Sequence, residues 1–97
     1  MLNVHWAGWY NEGTSDKLWG VLERVYDDID AVTYYNFWCR RGAKMQFKHV
    51  GNNKNYRHKA NSGYKSIDVE KLEEIYPGFM EEANNQLILG ILTGTVR

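Results

Sequence analysis

From Ala31 to Arg40 the chain reads Ala-Val-Thr-Tyr-Tyr-Asn-Phe-Trp-Cys-Arg, dense in β-branched and aromatic residues. Such side chains lose rotamer freedom against the turns of a helix and pack well on a pleated surface, so this stretch predicts a strand. Side chains alternate along a strand. Val32, Tyr34, Asn36 and Trp38 therefore share one face, and Thr33, Tyr35, Phe37 and Cys39 the other.

Other segments fall into place around this strand. Leu2 to Tyr10 mixes Val4 with Trp6, Trp9 and Tyr10 and suits a second strand. Asn11 to Asp16 is dense in turn formers. Lys17 to Tyr26 alternates, with Trp19, Val21 and Val25 on one side and Leu18 and Leu22 on the other, and Asp27-Asp28-Ile29-Asp30 is a further turn. Arg41-Gly42-Ala43-Lys44 reads as a hairpin turn leading into a strand from Met45 to Val50. Gly51 to Gly63 is polar, Asn-rich and basic, and reads as a long surface loop with at most a short strand.

The character changes after Ser66. Asp68 can cap a helix whose apolar stripe is Val69, Leu72 and Ile75 or Tyr76, ended by Pro77-Gly78. Phe79, Ala83, Leu87 and Ile91 follow at helical spacing, although Leu87-Ile88-Leu89 reads equally as a buried strand. Strands first and helices last predict an α+β fold: an antiparallel sheet of four to five strands followed by one or two C-terminal helices, in one domain over 1–97.

Charge is sorted along the chain. The total is zero, yet Cys39 to Ile67 carries Arg40, Arg41, Lys44, Lys48, Lys54, Arg57, Lys59 and Lys65 with no acid, a net +8. The segments on either side are each −4. A concentrated basic patch attracts a polyanion, and acidic flanks discourage indiscriminate sticking. The opposing reading is a solvated face neutralised on folding by those same flanks.

One cysteine, Cys39, rules out an intrachain disulfide and fits a reducing, cytoplasmic setting. No signal-peptide pattern is visible, and the apolar run Leu87 to Leu92 is too short to span a bilayer, so no membrane role is expected. Structural zinc needs four ligands at short paired spacings, which Cys39, His49 and His58 do not supply. A Cys–His nucleophile would lack an orienting third group. The His49-Val50-Gly51-Asn52-Asn53 run resembles a nuclease cluster only faintly and has no ligating carboxylate nearby. No phosphate-cradling Gly-rich loop occurs. The expectation is therefore a protein that is not an enzyme and needs no cofactor or metal.

Phe37 to Gln46, Phe-Trp-Cys-Arg-Arg-Gly-Ala-Lys-Met-Gln, resembles the signature of WGR domains, Trp-Gly-Arg followed by spaced glycines and Gly-Gln. Trp38, Arg40, Gly42 and Gln46 fall on its positions, while Cys39 and Met45 replace two of its glycines. Tyr10 to Trp19 is similar to the family's opening, and Lys59-Ala60-Asn61-Ser62-Gly63-Tyr64 to its later Lys-x-x-Gly-Tyr element. The usual helix before Gly-Tyr is shortened or displaced by the Asn/Lys loop. The likeness covers residues 3–67, and 68–97 stand as a helical extension outside it. It implies an antiparallel sheet with helix support and, as in poly(ADP-ribose) polymerases, contact with the sugar-phosphate backbone near a DNA 5′ end. Trp38 would then stack on a sugar or base, and Arg40 would meet a phosphate or a partner.

Trp38 has two readings, core residue or ligand platform. Arg40 shares its strand face, so a buried Trp38 would drag a guanidinium inward, which favours the sheet rim. Trp6, Trp9 and Trp19 are assigned to the core. Phe47, Tyr56 and Tyr64 interleave with the cations as in nucleic-acid surfaces. The expected function is nucleic-acid binding, DNA in preference to RNA, through Trp38, Arg40, Arg41, Lys44, Gln46, Lys48, Lys54, Tyr56, Arg57 and Lys59. The alternative is an adaptor, of the kind phages carry, that docks on a protein through the same face or the acidic region Asp68 to Glu82. Phe79 to Leu92 offers an apolar surface for a homodimer.

Overall fold

The structure, a computed structural model, describes residues 1–90. Its strands are β1 (Leu2–Glu12), β2 (Ser15–Val25), β3 (Val32–Arg40), β4 (Gln46–Val50) and a two-residue β5 (Lys65–Ser66). They form one antiparallel sheet in the order β4-β3-β2-β1-β5. Helix α1 (Tyr56–Asn61) lies between β4 and β5; α2 (Val69–Ile75) and α3 (Phe79–Ala83) follow β5, and α3 continues as a π-helical segment, Asn84–Ile88. This is the α+β architecture the sequence predicts. Leu87 and Ile88 are thus helical rather than a strand, while Ile91 and Leu92 lie outside the described residues.

The Gly51–Gly63 segment is the main departure from the expected fold. It holds α1, and it leads into β5, which pairs with β1 through Gly8–Ser66 and Trp9–Lys65. No apolar periodicity announces α1, because the helix buries no residue fully. It is held from outside. The buried Asn36 amide donates to the Gly20 carbonyl at 3.3 Å and exchanges hydrogen bonds with Asn55, whose Nδ2 donates to Asn36 Oδ1 at 2.8 Å. A buried amide satisfied this way fixes the approach of α1 to the sheet.

Alternation sorts the sheet into two different faces. One carries Ala7, Leu18, Leu22, Phe37 and Cys39 and is covered by Leu72, Phe79 and Ala83. Phe79 sits at the centre, with its ring centroid 4.6 Å from Phe37 and 6.0 Å from Phe47. Asp68 caps α2 as expected, its side chain accepting from the Lys71 N–H at 2.8 Å. Glu73 then accepts from the Gly78 and Met80 N–H groups, which joins α2 to the start of α3. Of the expected stripe, Leu72 is buried and Ile75 packs on the core, but Val69 is exposed. The surface considered for a homodimer is largely spent within the chain: Phe79 and Ala83 are buried, and Leu87 and Ile88 pack against the core.

Cys39 lies in this core near Glu82. Burial, with a smaller contribution from the Glu82 carboxylate, pushes its thiol up to about 11. A group that holds its proton more tightly folded than unfolded stabilises the fold fully below its unfolded pKa, and that contribution fades as pH rises through the folded value. The melting temperature is therefore expected to fall between about pH 9 and pH 11, and thermal melts of Cys39→Ala should show a shallower fall. An unchanged pH slope in the variant would count against the assignment.

Candidate nucleic-acid interface

The other face of the sheet carries the candidate site. Directly paired residues of antiparallel strands share a face, so the register places side chains in rows. One row is Tyr10, Lys17 and Arg40; the next is Gly8, Trp19, Trp38 and Gln46; the third is Trp6, Val21, Asn36 and Lys48. Trp38 is 38% exposed. A cleft of about 350 Å³ opens here, lined by Trp19, Asn36, Trp38, Lys59 and Tyr64.

Aromatic contacts build the cleft. Trp6 sits 6.1 Å from Trp19 and stacks on Tyr56 of α1 at 5.4 Å. Tyr64 leans on Tyr10 at 5.4 Å. Lys59, at the end of α1, places its ammonium 5.7 Å from the Trp19 ring centroid and 5.5 Å from that of Tyr64. Lys17 lies 5.3 Å from Tyr10 and 6.0 Å from Tyr64. Burial raises the Tyr64 hydroxyl above the ordinary phenol value; the neighbouring Tyr10 adds to this and Arg40 opposes it. These rings hold the cations by their π faces, an attraction of about 0.5–1 kcal/mol at exposed sites. Among the described residues, none of Lys17, Arg40, Lys48 and Lys59 is in a salt bridge.

The ten residues singled out by sequence separate in space. Trp38, Arg40, Gln46 and Lys48 share the aromatic face, and Lys59 reaches it from α1. Tyr56 belongs to it as well, but its ring is engaged with Trp6. Arg41, one residue past the strand, turns to the opposite side: its guanidinium is 3.5 Å from the Asp16 carboxylate and lies over Trp9. Lys44 is exposed in the β3–β4 turn, and Lys54 and Arg57 are exposed on the segment bearing α1, outside the cleft lining. Phe47 faces the helices, against Phe79. Period-2 alternation is the reason: neighbours in sequence cannot share a sheet face, so a run of basic residues cannot be read as one patch.

Four contributors escaped the sequence reading. Lys17 sits in a segment of net negative charge, yet the register puts it beside Arg40. Trp19 and Trp6 are half-buried on the cationic face rather than in the helix-covered core, and of the assigned core tryptophans only Trp9 packs there. Tyr10 completes the wall. The alternation of β2, which sets Trp19 and Val21 apart from Leu18 and Leu22, held the signal for Trp19 and for the face of Lys17; only the register put Lys17 beside Arg40. Cys39 and His49 lie on the helix side, and His58 is exposed on α1. Among the described residues no group of three His, Cys, Asp or Glu side chains is placed to hold a metal ion.

These observations define an α+β domain that presents one basic, aromatic sheet face. No protein-family model, no curated protein and no solved structure matches the chain. No helix among the described residues is long and apolar enough to cross a membrane.

Proposed function

We propose that this is a WGR-like, non-enzymatic nucleic-acid-binding domain, with DNA its ligand in preference to RNA. Arg40, Lys48, Lys59 and Lys17 contact the sugar-phosphate backbone, and Trp38 is a stacking surface. One observation carries the reading: an exposed indole on a face with four cations, of which Lys17 and Lys59 lie over aromatic rings and none is in a salt bridge among the described residues. Phosphates can meet such cations without displacing an acid. Backbone contacts position a ligand and carry no sequence information directly.

The test combines two variants with equilibrium binding to labelled DNA. Trp38→Ala removes a stacking contact worth about 1–3 kcal/mol per base, so affinity should fall about 5- to 150-fold. The Arg40→Ala/Lys48→Ala/Lys59→Ala triple should abolish measurable binding. Both should melt within a few degrees of the parent, since none of these side chains belongs to the helix-covered core. Undiminished binding by the triple variant would refute the proposal.

The second reading is a protein adaptor. It is favoured by the outer side of α2, where Asp68, Glu70 and Glu74 are exposed and, among the described residues, only Glu74 has a salt-bridge partner, Lys71 at 3.3 Å. A partner retained by the triple variant after nuclease treatment, and lost on Glu70→Lys, would support it.

A further inference from the structure

We infer that the aromatic face fits unpaired, single-stranded nucleic acid in preference to the interior of a duplex, the strand running along β2 and β3 with a base in the cleft and phosphates on the cations to either side. This rests on the nucleic-acid reading above and adds the form of polymer that the face accepts.

The order of the rows carries the argument. Rows on one face are two residues apart, about 6.6 Å along a strand. The Lys17–Arg40 row and the Lys48 row therefore lie about 13 Å apart, with the Trp19–Trp38 row between them. Cation, aromatic, cation is the complement of phosphate, base, phosphate. Inside a duplex both π faces of each base are covered by neighbours, and the outside offers phosphates and groove edges. A duplex interior would engage only the outer cations and leave Trp19, Trp38 and Tyr64 without a partner. An unstacked base has a free face for them.

The helices give no alternative way to read a duplex. Helix α1 has six residues and lies over the sheet through Tyr56, while α2 and α3 cover the opposite face. None stands clear to enter a major groove, which takes a whole helix or a two-stranded ribbon. The cleft, at about 350 Å³, is near the small end of ligand pockets, which run from about 300 to 1,000 Å³. It suits one flat ring and its sugar. Asn36 lines it, but that amide is committed to Gly20 and Asn55, so it has little left to read a base edge. Binding is therefore tolerant of sequence.

Fluorescence anisotropy on the full chain tests this with three labelled probes: an oligothymidine of about 12 nucleotides, within the range of single-stranded site sizes, a blunt duplex of the same length, and a dumbbell duplex closed at both ends. The oligothymidine should bind at least tenfold tighter than the dumbbell. Four contacted phosphates on a single strand give a log–log salt slope of about −2.8, or about a 50-fold loss between roughly 50 and 200 mM salt. Lys17→Ala should reduce that slope by about 0.7 while melting within a few degrees of the parent. Equal or tighter binding to the dumbbell overturns the inference and leaves the nucleic-acid reading intact. So does affinity for the blunt duplex that exceeds both other probes, because that marks docking on duplex ends. Absence of saturable binding to all three probes overturns both.

Discussion

Phe37→Ala is expected to destabilise the protein by about 3–5 kcal/mol, the usual range for removing a buried ring. Phe37 is fully buried, and its ring centroid lies 4.6 Å from that of Phe79, nearer than Phe47 at 6.0 Å. Losing it opens a cavity at the joint between β3 and α3. For a domain of this length about 1 kcal/mol shifts the melting temperature by roughly 4–8 °C, so the transition should fall by at least about 12 °C. Total stability of such domains is about 5–15 kcal/mol, so a partly unfolded sample at room temperature is within the expected range. Trp38→Ala, one residue along, removes a larger ring and should leave the melt nearly unchanged while weakening binding. Circular dichroism melts of the two variants side by side check the contrast. Equal destabilisation would mean that the two faces of β3 are not divided as described.

Gly20→Val should be at least as damaging. A Cβ at Gly20 would collide with the Phe37 ring and sit 2.5 Å from the Trp6 carbonyl oxygen. The ring can turn only at the expense of its contact with Phe79, and the carbonyl belongs to β1, paired along the length of β2. Ordinary overpacking costs about 1–3 kcal/mol. A clash with backbone at the centre of a sheet should reach or exceed the upper end, and the variant should give a lower urea midpoint or fail to fold. Gly51→Ala is the control: its position is open space with no positive φ, so its midpoint should shift by less than about 0.5 kcal/mol in free-energy terms. A Gly20 variant as stable as the control would show that β1 and β2 do not approach as closely as described.

Much of the fold was readable from local pattern. The ends of β1 to β4 lie within two residues of expectation, because alternation and turn formers act over a few residues and the hairpins join neighbours in sequence. Asp68 announced α2 for the same reason. Helix α1 was not legible: its position comes from the Asn36–Asn55 exchange and the Tyr56–Trp6 stack, contacts between residues 19 and 50 positions apart. Nor was β5, whose two residues are extended because β1 has an edge to pair with. A two-residue strand has no period to detect.

The candidate site divides along the same line. Charge sorting pointed to the segment that supplies Arg40, Lys48 and Lys59 to the aromatic face, and the motif residues Trp38, Arg40 and Gln46 lie together on that face. Arg41 and Phe47 do not join them, since each is an odd step from its neighbour on the face. Lys17 and Trp19 do, although they come from a segment whose charge is of the wrong sign.

The order of residues alone settled that β1 to β4 are extended, that α2 is helical, and where positive charge is concentrated along the chain, because propensity, capping and alternation are properties of near neighbours. The folded chain alone settled which cations stand together and which rings stay open. Those depend on pairing register, on an amide bond pattern between distant asparagines, and on which face of the sheet the C-terminal helices cover; each joins residues that no local rule connects.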